Sequence, residues 1–91
     1  MFSPSNAEVL GAAIRAGRSA LNWSQADLAE KAGVSMPTVA RIEASLISPK
    51  MLTLGKLFSA LEEGGVSFSW GNEAGVNFVM TVRLGQQKDG A

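Results

Sequence analysis

Residues 24–43, SQADLAEKAGVSMPTVARIE, decide the fold of this chain. They read as two short amphipathic segments joined at Gly33. Ser24 and Ser35 stand where a serine side chain accepts a hydrogen bond from a first-turn amide, and Asp27 completes a capping box with Ser24. Gly33 suits the left-handed backbone that ends many helices. The stretch therefore predicts two short helices with a tight turn between them.

Longer helices are predicted on both sides of this stretch. A capping box of Ser5 and Glu8 precedes an apolar stripe, which predicts a first helix from about Asn6 to Leu21. Thr53 is the expected cap of a fourth helix. Leu54, Leu57, Phe58 and Leu61 form the inner stripe of that helix, and Gly64 and Gly65 end it.

After Gly65 the hydrophobic period changes from helical to alternating. Val66, Phe68 and Trp70 alternate with serines, which predicts a strand, and a second alternating run follows the turn sequence GNEAG. The sequence thus predicts a helical unit at residues 1–65, a β-hairpin at 66–85 and a solvated, flexible tail at 86–91. The apolar positions of the second run are Val76, Phe78, Met80, Val82 and Leu84.

Composition narrows the class of function. The 91-residue chain has no cysteine, which excludes disulfides and thiolate metal sites, and no histidine, the usual general base near neutral pH. We therefore expect neither an enzyme nor a cofactor. No apolar run approaches the roughly 20 residues of a membrane helix, and residues 1–10 do not resemble a signal peptide. A cytoplasmic location without a membrane partner is expected.

The charges of the chain give evidence both against and for binding to nucleic acid. The formal net charge is zero, whereas nucleic-acid binding usually leaves a basic footprint. The charges are unevenly spread, because residues 1–56 carry six basic and four acidic side chains. The front of the chain can therefore still present one basic face.

The stretch around Gly33 resembles the helix-turn-helix of the phage-repressor and Cro-like family, also called the xenobiotic-response-element type. The matching features are Gln25, the Leu28-Ala29 pair, Gly33-Val34-Ser35, Val39 and the Ile42-Glu43 ending. The resemblance extends from about Ala13 to Leu61. It implies a mainly α fold: a small four- to five-helix repressor-like bundle, here followed by the hairpin.

The resemblance also implies which residues meet double-stranded DNA. The third helix is the recognition helix, with its first residues nearest the base edges and Arg41 one turn further on, able to bind guanine or phosphate. Gln25 and the region from Ser48 to Lys50 are placed for phosphate contact. The implied DNA-binding residues are Arg18, Ser24, Gln25, Ser35, Met36, Pro37, Thr38, Arg41, Ser48 and Lys50.

One residue, Pro37, departs from the family pattern, and one pair, Arg18 and Glu43, matches a further feature of it. Pro37 removes a polar side chain from a position that often reads bases, so specificity is expected to be modest or to depend on DNA shape. Arg18 and Glu43 occupy positions that pair across helices in related repressors. We expect that pair to be partly exposed and to contribute about 1 kcal/mol. Arg15 is expected to face solvent.

A lone hairpin is marginally stable, and an open apolar edge strand invites pairing. We expect one face of the hairpin to cover the helices and one edge to form a homodimer, with Val76, Phe78, Met80, Val82 and Leu84 as the dimerisation residues. The sequence thus predicts a sequence-specific regulator, a dimeric repressor of a palindromic operator. The alternative is a protein-interaction module, or an antitoxin, whose hairpin binds a partner protein such as a toxin. Zero net charge and the Met36-Pro37 pair favour that alternative.

Overall fold

The structure, a computed structural model, describes residues 7–71 and 75–84. This part of the chain forms four helices and a two-stranded antiparallel hairpin, which confirms the predicted fold. The elements are α1 (Ala7–Ala20), α2 (Gln25–Ala32), α3 (Met36–Glu43), α4 (Met51–Gly64), β1 (Val66–Trp70) and β2 (Phe78–Val82).

The turn between α2 and α3 forms as its sequence predicts. Ser24 caps α2 within a reciprocal capping box with Asp27, and Ser35 caps α3, with Pro37 in its first turn. Gly33 has a φ of 73°, in the left-handed region, and its N–H bonds to carbonyls of α2. These signals act over three or four residues, so tertiary packing does not override them.

The predicted start of α4 at a Thr53 cap is wrong. The helix begins at Met51, and Lys50 stands at the cap position without a side-chain hydrogen bond. Leu54 already donates its N–H to the Lys50 carbonyl at 2.9 Å. The earlier start adds three residues, most of a helical turn, before Leu54, which is buried. The other predicted cap, the box of Ser5 and Glu8, lies partly outside the described residues.

One hydrophobic core joins all four helices to the hairpin. Helix α3 packs chiefly on α1 and α2, whereas the hairpin packs on α1 and α4. Val66 of β1 is fully buried in the core, and Phe68, Met80 and Val82 pack against it. The other large, fully buried side chains are Leu10, Ile14, Leu28, Val39, Ile42, Leu57 and Leu61.

The second strand is shorter than the run that predicts it. It covers Phe78–Val82, pairing Val66 with Val82 and Trp70 with Phe78. Val76 and Leu84 lie outside it, and Leu84 is 72% exposed. The alternation of apolar residues in the sequence therefore extends beyond the residues of β2 that pair with β1.

Gly11 sets the distance between α1 and α3. A Cβ atom at Gly11 would lie 2.5 Å from the Ile42 carbonyl oxygen, a backbone atom that cannot move without shifting α3. Gly55, in the interior of α4, has open space at the same place. We therefore expect Gly11→Ala to lower the free energy of unfolding by about 1–3 kcal/mol. Gly55→Ala is the control and should raise it by about 0.5–1 kcal/mol. Urea titrations measure both, and equal effects would contradict the close approach.

Candidate nucleic-acid interface

The leading end of α3 is open to solvent. Ser35 and Pro37 are exposed, and Met36 keeps 46% of its surface accessible. Thr38 is half-buried, and its hydroxyl lies 2.7 Å from the Ser35 hydroxyl. The described part of the hairpin packs on α1 and α4 and does not cover this end of α3. It presents two hydroxyl groups beside two apolar side chains.

Arg41 lies about one turn beyond Pro37 and is exposed. Among the described residues its guanidinium has no hydrogen-bond or ion-pair partner. Its planar fork is therefore available for a bidentate contact, either to guanine O6 and N7 or to a phosphate. Ser48 and Lys50 are also exposed, in the segment that leads into α4.

Glu43, the last residue of α3, lies at the centre of a buried polar cluster. Arg18 binds both of its carboxylate oxygens, with Nε at 2.7 Å from Oε2 and Nη2 at 2.9 Å from Oε1. Gln25 donates to Oε1 at 3.1 Å, and Arg15 donates to the Glu43 backbone carbonyl at 2.9 Å. The cluster thus ties α1 and the start of α2 to the end of α3.

The Arg18–Glu43 pair is more buried than the sequence suggests. The side chains are 17% exposed for Arg18 and 4% exposed for Glu43, so Arg18 is partly exposed as expected, whereas Glu43 is buried. The contribution of about 1 kcal/mol stays a prediction. The hydrogen bond to Glu43, followed by the attraction between the two charges, raises the pKa of Arg18 against the opposing effect of burial. A bidentate pair in this setting fixes geometry more strongly than a solvated one.

The cluster also restricts what two predicted DNA-contacting residues can offer. Arg18 directs Nε and Nη2 at Glu43 and donates from Nη1 to the Trp23 carbonyl at 2.8 Å. Gln25 already donates one amide hydrogen to Glu43. Each keeps further N–H donors, but both side chains are held in place. Their first effect is to orient α2 and α3.

Arg15 belongs to this site although the sequence predicts only a solvent-facing side chain. It is exposed, as expected, yet it also donates to the last turn of α3. A cation at a helix C-terminus is stabilising. The signal that points to it is its spacing from Arg18, because residues three apart share a helix face.

The N-terminus of α2 carries its own acidic group. The Asp27 carboxylate accepts from the Ser24 N–H at 2.9 Å, and the Ser24 hydroxyl accepts from the Asp27 N–H. The hydrogen bond from the Ser24 backbone N–H, and next the interaction with the Ser24 side chain, lower the pKa of the Asp27 carboxyl group. The backbone N–H groups of Ser24 and Asp27 take part in the capping box, whereas those of Gln25 and Ala26 do not. The Gln25 and Ala26 amides are therefore the backbone donors at this helix end that the box does not use.

A metal-binding group of side chains and a membrane-spanning helix are both absent from the described ranges, 7–71 and 75–84. These ranges contain no group of three or more acidic, histidine or cysteine residues that could hold a metal ion. None of their helices is long and apolar enough to cross a membrane.

A comparison with protein families agrees with this geometry. The model of a family described as helix-turn-helix matches residues 14–68, from the middle of α1 into β1. Because the match covers more than half of the chain, the protein belongs to the Cro/C1-type helix-turn-helix family. Members of this family are DNA-binding regulators and are not typically enzymes. The general class of this chain is therefore that of a DNA-binding transcription regulator. A search of curated proteins finds no match.

Proposed function

We propose that the protein is a dimeric, sequence-specific repressor that binds a palindromic operator, with the leading end of α3 in the major groove. The observation that carries this proposal is that α3 begins with exposed residues and ends at a residue that other helices hold rigidly. Ser35, Met36 and Pro37 are open to solvent, while Glu43 is fixed by α1 and α2. A helix held in this way can enter a groove without reordering.

The proposed contacts divide into reading and positioning. Ser35 and Thr38 offer hydroxyls to base edges, and Met36 and Pro37 offer apolar contact to a thymine methyl. Arg41 binds guanine or phosphate. The positioning contacts to the sugar-phosphate backbone come from Arg18, Ser24, Gln25, Ser48 and Lys50.

The free edge of β2 is the proposed dimer contact. Arg83 donates its N–H to the Gly65 carbonyl, and Asn77 accepts from Gly71, so these β2-side residues direct their backbone groups toward β1. Because backbone direction alternates along an antiparallel strand, Val79 and Thr81 do the same. The N–H and C=O groups of Phe78, Met80 and Val82 then point away from β1. Their side chains are half-buried, so they offer a partner mainly their backbone.

A two-fold axis at Met80 would place Val79 opposite Thr81 of the partner subunit. Both side chains are exposed, and like charges directly opposite each other destabilise a strand pair. We expect V79K/T81K to be monomeric by sedimentation equilibrium and V79K/T81E to remain dimeric. Leu52→Lys, on the exposed start of α4, is the control and should not change the mass. If V79K/T81K remained dimeric and Leu52→Lys became monomeric, the dimer contact would lie at α4 and not at β2.

The salt dependence of DNA binding tests the function itself. Phosphate contacts release counterions, so affinity for mixed DNA must fall steeply as salt rises. Selection from a random DNA pool should then give a palindrome, with half-sites about 34 Å apart or at another fixed spacing. A flat salt response, or an asymmetric selected site, would contradict the proposal.

Arg41→Ala is expected to weaken binding to the selected site by about 1–3 kcal/mol and to relax preference at one base position. The reason is the loss of a bidentate guanine contact. Arg83→Ala, at the end of the hairpin, is the matched control and should leave affinity within about twofold. Fluorescence anisotropy on a set of single-base variants measures both effects. An equal loss on every sequence would make Arg41 a phosphate contact.

A protein-interaction module or antitoxin remains the second candidate. The observation in its favour is a cluster of exposed apolar side chains around the start of α4. Leu46, Met51 and Leu52 are each at least 70% exposed, and exposed apolar patches often mark protein contacts. On this alternative, DNA binding would be absent even at low salt and a partner such as a toxin would cover apolar surface.

A further inference from the structure

A half-open apolar groove lies between α4 and β1, away from the residues proposed to meet DNA. It has a volume of about 350 Å³, within the range of small-molecule sites. We call it the α4–β1 groove. It is lined by Leu10, Met51, Leu54, Gly55, Phe58, Glu62, Val66, Ser67, Phe68 and Trp70.

Three aromatic rings make one wall of the groove. Phe58 meets Phe68 edge-on at 5.3 Å between ring centroids and Trp70 at 5.5 Å. Phe68 and Trp70 are nearly parallel, with 10° between their planes. All three residues are half-buried, so part of their surface is accessible. The rings hold one another in place while still offering π surface to a ligand.

Gly55 and Met51 leave the helix side of the groove open. A Cβ atom at Gly55 would meet nothing within 4 Å, although glycine inside a helix costs about 1 kcal/mol relative to alanine. Met51 is 70% exposed, and its flexible thioether can adapt to a bound molecule. There is space on this side that a larger side chain would fill.

Among the described residues that line the groove, Glu62 has the one charged side chain. It lies one helical turn after Phe58, and its carboxylate forms no ion pair within the described ranges. Arg83 donates to the Glu62 backbone carbonyl at 3.4 Å rather than to the carboxylate. Around the axis of α4, Lys56 lies about 100° and Glu63 about 80° from the nearest lining residue. The groove therefore combines aromatic faces with a negative charge.

We propose that the α4–β1 groove binds a small lipophilic cation. Aromatic faces attract cations through their quadrupoles, and the Glu62 carboxylate complements the same charge. The apolar body of the ligand packs against Phe58, Phe68 and Trp70. This inference goes beyond the proposed function and does not depend on it, because binding is expected in the absence of DNA.

The test uses two probes with the same aromatic body, (1-naphthylmethyl)trimethylammonium and 1-naphthylacetate. Amide and indole NMR shifts of the full chain follow the titration without DNA. We expect the cation to shift the Trp70 indole signal saturably, and Trp23, outside the groove, to stay unchanged. The cation should bind about tenfold more tightly than the anion. No saturable shift, or equal affinity for the two probes, would overturn the proposal.

Three variants locate the charge and the space. Glu62→Gln should weaken cation binding about fivefold or more, while Glu63→Gln, the neighbouring carboxylate outside the groove, should change it less than twofold. Gly55→Leu fills the groove with a good helix former and should abolish binding while circular dichroism shows a folded chain. Equal losses in Glu62→Gln and Glu63→Gln, or unchanged binding in folded Gly55→Leu, would contradict the proposal. So would groove shifts that follow protein concentration alone, which would assign the groove to a second copy.

Discussion

A chain that ends at Gly65 is expected to be largely unfolded at 25 °C. The truncation removes Val66, which is fully buried, together with Phe68, Met80 and Val82, which pack against the core. Burying an aliphatic or aromatic side chain contributes about 1.5–3 kcal/mol, so the loss amounts to about 5 kcal/mol or more. Native domains of this size have about 5–15 kcal/mol in total. The sequence predicts that one face of the hairpin covers the helices, and the packing of Val66, Phe68, Met80 and Val82 makes that face part of the core.

Thermal unfolding followed by circular dichroism measures this effect. Removal of residues 86–91, predicted from the sequence as a solvated tail, is the control and should leave the melting temperature within a few degrees. A folded, cooperative domain ending at Gly65 would show that the helices form a sufficient core without β1 and β2. Such a fragment would also be the right material for asking whether dimerisation needs the hairpin.

Glu43→Ala is expected to lower the free energy of unfolding by about 3 kcal/mol. The Glu43 side chain is 4% exposed, and its removal leaves Arg18 without its bidentate partner and Gln25 without an acceptor. Breaking a buried pair by deleting one member typically costs about 3–5 kcal/mol. The lower end applies because Arg18, at 17% exposed, can still reach water. DNA affinity should fall as well, since the cluster orients α3.

Two comparisons sharpen this prediction. Glu30→Ala, which removes an exposed carboxylate of α2, should change stability by less than about 0.5 kcal/mol. The double variant Arg18→Met/Glu43→Leu should recover most of the stability, because apolar side chains of similar size remove the buried charge. Chemical denaturation measures all three variants. If Glu43→Ala and Glu30→Ala have equal effects, the cluster does not hold α3 in place.

The sequence predicts local structure well and tertiary structure less well. The caps at Ser24 and Ser35 and the left-handed Gly33 depend on neighbours three or four residues away, and all three are confirmed. The start of α4 depends on burial of Leu54, so the Thr53 signal fails. The length of β2 is set by what β1 can pair.

The residues of the candidate site also divide into those that the sequence predicts and those that depend on tertiary packing. Exposure of Met36, Pro37 and Arg41 follows from a helix pattern that leaves them on the outer face. The contacts made by Arg15 and the depth of Glu43 depend on how closely α1 and α3 approach. That distance is set by Gly11, whose role no helix period reveals. Sequence reasoning therefore finds the exposed residues of α3 more readily than the residues that hold this helix in place.

Site-specific photocrosslinking tests the central claim most directly. A benzophenone side chain at Met36, at the start of α3, is compared with one at Ser59, an exposed position of α4, on the DNA recovered by selection. We predict crosslinks from position 36 to bases inside each half-site and none from position 59. Bound DNA that crosslinks from position 59, or not at all from position 36, would show that α3 does not lie in the groove.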